Sequence, residues 1–241
     1  MTNPQQFSLV LLCILFAQSA WAGRPIGTDD AGTADAGTCQ IEGWQERLRS
    51  ARALIIAPAC GIASGLELGI DYTRLPGDTA RGAGVALKSL PQSASEHSWA
   101  GDTPVGENTA GLKLSSGYQR HAGESWRHRD SNVLLLVSTK FNDMLTLHTN
   151  IGGIRSQAEK PNAALFNIAL AAKPSERVLL FVESQTNHRR TVFGPTVNTI
   201  GGSWWTVKQR FGLDTTASRP AGSHAAGTTY GIGFGWVGLA L

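Results

Sequence analysis

The sequence lacks the features that mark helical membrane proteins, common hydrolases and nucleic-acid-binding proteins. After residue 22 no apolar run approaches the roughly 20 residues that a membrane helix needs. There is no G-x-S-x-G motif, and no helix pattern follows the glycine-rich stretch 231–236, as a nucleotide-binding loop would require. The formal net charge of +3 is too small to indicate a nucleic-acid partner. His121 and His128 lack a metal-ligand spacing and neighbouring cysteines, so we predict no metal site and no cofactor.

The first 22 residues have the pattern of a secretory signal peptide. A short apolar core at residues 7–16 precedes the small-x-small sequence Ala-Trp-Ala at 20–22, which predicts cleavage after Ala22. The core is too short to span a bilayer, although an uncleaved anchor is the alternative. Residues 23–38 are rich in Gly, Ala and Asp and show no periodicity. We expect them to lie either in the lumen of a barrel or on its periplasmic rim.

Cysteine is scarce, and only two cysteines follow the predicted signal peptide. Export would place both of them in an oxidising compartment. The two residues are Cys39 and Cys60, and disulfides form and persist in exported proteins. If the two lie opposite each other in an antiparallel hairpin, the turn falls midway between them and Trp44 pairs with Ile55. We therefore predict a cross-strand disulfide, with two unpaired thiols as the alternative.

From residue 39 onward, runs of β character alternate with turn residues. Within a run the two faces differ; Leu145 and Leu147, for example, oppose His148 and Asn150. We predict strands near 39–48, 52–60, 65–74, 82–90, 108–120, 132–141, 143–155, 163–173, 177–188, 194–203, 205–214 and 227–241. Bacterial outer-membrane barrels have an even number of strands, as this list does.

The predicted fold is all-β, a single antiparallel up-and-down transmembrane β-barrel of about 12 strands over residues 39–241. Such barrels have short periplasmic turns and longer outer loops. The second, sixth, eighth and tenth connections are short, which agrees with this rule; they are residues 61–64, 142, 174–176 and 204. The connection 91–107 lies on the same side and departs from it. Residues 132–141 and 177–188 begin apolar on both faces, a pattern that fits buried sandwich strands nearly as well and counts weakly against the barrel.

The polar faces of the strands predict which side chains lie in the barrel interior. The predicted lumen-lining residues are Glu42, Glu67, Asp71, Lys113, His148, Glu183 and Arg210. Because they carry charges of both signs, we expect many of them to pair inside a narrow barrel, with a hydrated path as the alternative. A basic cluster at 188–190, with Arg127 and Arg129, lies in predicted outer loops and either binds lipid phosphates or is simply solvated.

The last stretch, residues 227–241, is predicted to be the strand that closes the barrel. Large apolar residues from Tyr230 to Trp236 alternate with glycine, so one face is apolar and the other nearly bare. After Trp236 the apolar residues continue in the opposite phase, at Val237, Leu239 and Leu241. This slip predicts either a β-bulge near Trp236 or a strand tip that is apolar on both sides.

Three motifs resemble a known outer-membrane family. The chain reads RPIGTDDAG at 24–32, CQIEGW at 39–44 and PAC at 58–60, and later strand sequences follow in the family's order. Together they resemble the outer-membrane β-barrel family named for the meta-pathway of phenol degradation. The resemblance implies a barrel that moves small aromatic compounds. The residues that match the family's N-terminal motif are Arg24, Pro25, Thr28, Asp29 and Asp30, and Glu183 matches an acidic position inside such barrels.

The sequence therefore predicts a non-enzymatic protein of the bacterial outer membrane, a pore or uptake channel for small solutes. Its expected partners are outer-membrane lipid, a small-molecule solute and the outer-membrane assembly machinery. One alternative is a structural or surface-interaction barrel whose lumen is plugged by side chains and residues 23–38. Another is a membrane-embedded lipid-modifying enzyme, which would bring Ser, His and a carboxylate together at one rim.

Overall fold

Each strand of the protein pairs with the next strand along the chain, and the last strand also pairs with the first. The strands therefore form a closed β-barrel. The computed structural model describes residues 26–47, 52–75, 80–90, 106, 108–157, 162–190, 194–206, 210–221 and 227–240. The predicted signal peptide, Arg24 and Pro25 lie outside these residues. In the described part of the chain, no helix is long and apolar enough to cross a membrane.

The barrel has twelve strands, and every neighbouring pair is antiparallel. They are β1 (Thr38–Arg47), β2 (Arg52–Ala63), β3 (Leu66–Arg74), β4 (Arg81–Ser89), β5 (Asn108–Arg120), β6 (Arg127–Asn142), β7 (Leu145–Ser156), β8 (Asn162–Ser175), β9 (Val178–Asn187), β10 (Val197–Trp205), β11 (Phe211–Pro220) and β12 (Thr229–Ala240). The pairing of β1 with β12 leaves no free sheet edge. The predicted fold class is confirmed.

The two faces of the barrel wall have opposite chemistry. Ile70, Val182 and Ile232 are 54%, 53% and 65% exposed on the outward face. On the inward face Lys113 is 1% exposed and Glu67 is 5% exposed. An apolar outside and a polar inside is the arrangement of a transmembrane barrel, whereas a water-soluble barrel would bury its apolar residues.

The connections divide into two sets, one at each rim of the barrel. Two-residue turns join β2 to β3 at Ser64 and Gly65, β6 to β7 at residues 143–144, and β8 to β9 at residues 176–177. We call this the short-turn rim, and the opposite end the long-loop rim. β4 ends and β5 begins at the short-turn rim, and of the long predicted connection 91–107 between them only Gly106 is among the described residues.

The boundary between β10 and β11 was predicted incorrectly. The tenth connection is not at Trp204, because β10 continues through Trp205 and β11 begins at Phe211 rather than at 205. Trp204 is 49% exposed on the outward face, while the ring of Trp205 turns inward against Gly212. Because the two adjacent tryptophans lie on opposite faces, both are strand residues. Neither is one of the residue types that favour a turn. β6 also begins earlier than predicted, at Arg127.

The predicted disulfide and its hairpin register are both confirmed. Cys39 and Cys60 are direct cross-strand partners on β1 and β2 and form a disulfide. Trp44 pairs with Ile55, as the register requires.

The phase slip in the closing strand is a β-bulge. Cys39 pairs with Leu239, but Ile41 pairs with Trp236, so β12 has one more residue than β1 across this step. Gly238 lies in the bulge with a φ of 69°, a left-handed conformation that favours glycine. Val237 is buried on the inward face, next to the exposed Trp236, and Leu239 beyond the bulge is partly buried.

Candidate functional site

The lumen holds a stretch of the chain itself. Residues 26–37, which we call the N-terminal segment, precede β1 and cross the barrel interior. Thr28, Asp29 and Ala31 are 1%, 0% and 0% exposed. Hydrogen bonds and ion pairs connect the segment to strands from β9 around to β2. Residues 26–34 therefore lie against inward-facing side chains of the wall.

Glu183, on the inward face of β9, binds the start of the segment. Its Oε2 accepts hydrogen bonds from the Thr28 amide at 2.7 Å and from Thr28 Oγ1 at 3.0 Å. Its Oε1 accepts a third from the Gly27 amide at 3.2 Å. Glu183 is only 8% exposed. Its carboxylate is nevertheless well satisfied, because it accepts these three N–H and O–H hydrogen bonds.

Asp29 forms an almost fully buried ion pair with Lys113 in the lumen. Lys113 Nζ on β5 lies 2.6 Å from Asp29 Oδ2, with side-chain exposures of 1% and 0%. Asn150 on β7 accepts a hydrogen bond from the Asp29 amide at 2.9 Å and donates one to its carbonyl at 2.8 Å. Burial raises the pKa of Asp29 to about 6, although the charges of Lys113 and Lys88 lower it.

Further contacts continue along the segment to the other side of the barrel. Lys88 Nζ on β4 lies 3.2 Å from Asp30 Oδ1. Burial alone would raise the pKa of Asp30, but Lys88 and His148 bring it below its usual value. The Ala34 amide donates to Glu67 Oε2 on β3 at 2.7 Å. The three residues of the Thr28–Asp30 motif thus each have a side-chain partner on the wall.

Ser138 and His148 form a hydrogen-bonded pair beneath the segment. They are cross-strand partners on β6 and β7, and Ser138 Oγ lies 2.8 Å from His148 Nδ1. The same Oγ accepts a hydrogen bond from the Ala31 amide at 3.0 Å. Both residues are buried, at 3% and 6% exposure, and they lie in the lumen rather than at a rim. The geometry makes the pair part of the wall that holds the segment.

Two apolar patches on the wall also contact the segment. Ile26 packs in a cluster with Ala169, Ala171 and Phe181 on β8 and β9. Ala31 packs in a second cluster, with Leu90, Leu134 and Leu136. These patches explain why the sequences of β6 and β9 are apolar on both faces, since one face contacts the outside and the other contacts the segment. The double-faced runs therefore do not count against the barrel.

Gly61 allows the end of the segment to approach the wall. A Cβ on Gly61 would lie 2.3 Å from the carbonyl oxygens of Ala34 and Asp35. Because Gly61 has no Cβ, the segment comes close enough for the Gly37 amide to donate to the Gly61 carbonyl at 2.9 Å. Ala36 also forms a parallel bridge with Gly61. Any other residue at this position would push the segment away from β2.

The remaining predicted lumen residues occupy different environments. Glu42 is 8% exposed on the inward face of β1. Asp71 is partly buried, and its carboxylate lies over Gly84, where a Cβ would be 2.1 Å from Oδ2. Arg210 precedes β11 at the short-turn rim and is exposed, so it does not belong to the buried set around the segment.

Sequence reasoning did not select all the residues that hold the segment. Lys88 and Ser138 were absent from the predicted set, and Asn150 was placed on a polar face without a role. Strand alternation could have found Lys88, because it lies on the same face of β4 as Ala86, whereas Val85 lies on the other face. No group of three or more His, Cys, Asp or Glu residues in the described ranges could hold a metal ion.

No family model matches the sequence, and no curated protein matches it. Solved structures match it in fold. A KdgM porin aligns with a TM-score of 0.58 at 9% identity, covering 82% of this chain and 98% of that chain. A NanC porin aligns with a TM-score of 0.57 at 6% identity, covering 84% and 100%. The transport unit of the autotransporter AIDA-I from Escherichia coli aligns with a TM-score of 0.51 at 9% identity, covering 100% of both chains. These similarities concern the fold.

Proposed function

We propose that this chain is a bacterial outer-membrane barrel that passes small solutes through a lumen narrowed by its N-terminal segment. The observation that carries the proposal is the charged inward face of a closed barrel whose outward face is apolar. Glu42, Glu67 and Asp214 are all buried on that inward face. A barrel that only needed to be filled could use apolar side chains, as soluble barrels do, whereas a charged lumen suits water and polar solutes.

The same features support a location and an orientation for the barrel. An apolar outward band requires lipid, and outer-membrane barrels carry their short turns on the periplasmic side. The short-turn rim would then face the periplasm and the long-loop rim the outside. Export would use the predicted signal peptide of residues 1–22, and insertion would use the outer-membrane assembly machinery. The solved porins that share the fold support this assignment.

Small aromatic compounds are the solute class that we favour. The resemblance to the phenol-degradation family implies them, and the inward face carries partly buried tryptophans on two strands, Trp44 on β1 and Trp205 on β10. The Trp205 ring lies flat over Gly212, where a Cβ would be 2.7 Å from the ring. Such rings provide faces on which an aromatic solute can stack.

A plugged structural barrel is the second candidate, and the buried N-terminal segment favours it. Its segment binds the wall through two ion pairs, Lys113 with Asp29 and Lys88 with Asp30, and through several hydrogen bonds. If these contacts never open, the barrel passes nothing. Conductance separates the two candidates directly.

The test is single-channel recording of the purified protein in a planar bilayer, with flux of phenol and benzoate into liposomes measured in parallel. We expect discrete conductance steps and saturable flux. Trp205→Ala should change both, because Trp205 faces the lumen, while the matched control Trp204→Ala should change neither, because Trp204 faces outward. Wild-type protein that inserts but gives no steps above the lipid background would favour the plugged barrel and contradict the pore.

A further inference from the structure

A row of arginines crosses five adjacent strands at the long-loop rim. Arg47 on β1 pairs with Arg52 on β2. Arg74 on β3 pairs with Arg81 on β4, and Arg81 pairs in turn with Arg120 on β5. Leu54, two residues after Arg52, pairs with Arg74 and so joins the two halves of the row. We call these five residues the arginine row.

The arginine row lies on the outward face of the barrel. Strand alternation puts Arg52 on the face of the exposed Leu54, and Arg81 on the face of the exposed Val85. The chain has three tyrosines, and all of them are exposed beside the row. Tyr72 and Tyr118 each precede a row arginine by two residues on the same face, and Tyr230 is the cross-strand partner of Arg47.

The tyrosines fix the depth of the row relative to a bilayer. Tyrosine collects at the boundary between the hydrocarbon core and the head groups, because its ring is apolar and its hydroxyl polar. Two residues along a strand correspond to about 7 Å. The arginines that follow Tyr72 and Tyr118 therefore lie about one head-group layer further out, where lipid phosphates are found.

Among the described residues, no carboxylate forms an ion pair with the row. Strand carboxylates such as Glu67, Glu183 and Asp214 point inward. Arg120 instead stacks over Trp126, with its Cζ 5.2 Å from the ring centroid. Like charges directly opposite each other destabilise a sheet. A group of anions from outside the protein would remove this repulsion.

We propose that the arginine row binds the phosphates of a lipid head group that carries more than one phosphate, in the leaflet at the long-loop rim. The proposal rests on the membrane location given under Proposed function. Five strands place the row over about 20 Å, since neighbouring strands lie about 4.8 Å apart. A guanidinium binds phosphate through two parallel N–H donors, so neighbouring arginines can hold one phosphate between them. The row is long enough for two such sites.

A matched pair of double variants tests the proposal. Arg74→Gln/Arg81→Gln removes the centre of the row. Arg155→Gln/Arg219→Gln removes two outward arginines at the same rim whose cross-strand partners are Ser131, Asn162 and Asn198 rather than arginine. Binding of diphosphoryl and monophosphoryl lipid A to the detergent-solubilised protein is measured by native mass spectrometry, with free pyrophosphate as competitor. Barrel folding is checked by heat-modifiable gel migration, and membrane insertion by flotation of the wild type with liposomes.

We expect the row variant to lose at least about tenfold in affinity for diphosphoryl lipid A, and the control to change by less than about twofold. The wild type should prefer the diphosphoryl lipid to the monophosphoryl one. Equal affinities in the two variants would overturn the proposal, as would pyrophosphate displacing the lipid at the lipid's own concentration. A wild type that inserts and conducts without binding the lipid refutes only this inference, whereas a wild type that fails to insert refutes the proposed function.

Discussion

Asp29 and Lys113 are charges that folding has moved out of water, so each depends on the other. The pair is 2.6 Å apart and is almost fully buried on both sides. Removing one partner of a buried pair leaves an uncompensated charge, whereas removing both is much less damaging. The contact between the N-terminal segment and the wall should therefore respond very differently to single and double substitution.

We expect Lys113→Met to weaken docking of the N-terminal segment by about 3 kcal/mol, because Asp29 is then buried without its cation. The measurement is hydrogen exchange at the Thr28 and Asp29 amides, which are bonded to Glu183 and Asn150 in the docked state. The double variant Asp29→Leu/Lys113→Met should recover much of the protection. Equal exchange in the single variant and the wild type would mean that the pair contributes little to docking.

Asp29 also makes docking depend on pH. Its pKa is 3.8 when solvated and about 6 when docked, chiefly through burial, against the opposing charges of Lys113 and Lys88. The docked state binds the proton more tightly, so Asp29 favours docking fully below pH 3.8, and this contribution is lost as the pH rises through about 6. The lowered pKa of Asp30 acts in the opposite sense, but only at pH values below 3.8.

Acidification from pH 7 to pH 5 should therefore tighten the segment rather than release it. A spin label at position 35, introduced as Asp35→Cys, reports its mobility, because Asp35 is exposed on the segment. We expect mobility to fall on acidification, with a smaller fall when Asp29→Asn is added. A rise in mobility over this range in the wild type would contradict the assignment to Asp29.

At the residue scale, the sequence showed the Thr28–Asp30 motif but not what it binds. Glu183 lies 155 residues from Thr28, and Asn150 lies 121 residues from Asp29. Such contacts form only when the barrel closes, and no local pattern encodes them. Glu183 was predicted to lie inside from strand alternation, yet its role as acceptor for the Gly27 and Thr28 amides became visible only in three dimensions.

At the scale of strands, alternation predicted the number of elements and most of their bounds, because a barrel wall imposes a period of two on both faces. It failed where a second layer or a turn altered that period. β6 and β9 are apolar inside because they contact Ala31 and Ile26. The β10–β11 turn was misplaced because Trp204 and Trp205 obey the alternation and give no turn signal.

The contact of the segment with β2 gives a prediction for Gly61. In Gly61→Ala the new Cβ would lie 2.3 Å from the carbonyl oxygens of Ala34 and Asp35, and backbone atoms cannot move aside cheaply. We expect loss of the hydrogen bond from the Gly37 amide to the residue 61 carbonyl, seen as faster amide exchange at Gly37. The barrel itself should keep its heat-modifiable migration.

Gly84→Ala is the matched control for that variant. Gly84 is also a strand glycine, and a Cβ there would lie 2.1 Å from Asp71 Oδ2, but a carboxylate at the end of a side chain can rotate away. Exchange at Gly37 should therefore stay at the wild-type rate. If both variants accelerate it equally, the effect comes from a weakened barrel wall and not from the close approach of the segment.

For the whole molecule, the contacts that close the barrel are independent of those that hold the N-terminal segment. The ladder that closes the barrel joins β1 to β12 and uses none of residues 26–34. The segment supplies the carboxylates of Asp29 and Asp30 to Lys113 and Lys88. Deleting residues 26–34 should leave a closed barrel with a wider lumen. In that lumen Lys88 and Lys113 no longer face the carboxylates of Asp30 and Asp29.

We therefore expect the deletion variant to migrate as a folded barrel, to conduct more than the wild type, and to shift its reversal potential in a salt gradient toward anions. Asp29→Asn/Asp30→Asn is the control, because it removes the same charges but keeps the backbone of the segment, including the Asp29 amide bond to Asn150. It should shift selectivity in the same direction with a smaller rise in conductance. A deletion variant with wild-type conductance would mean that the segment does not limit the path, whatever its charges do.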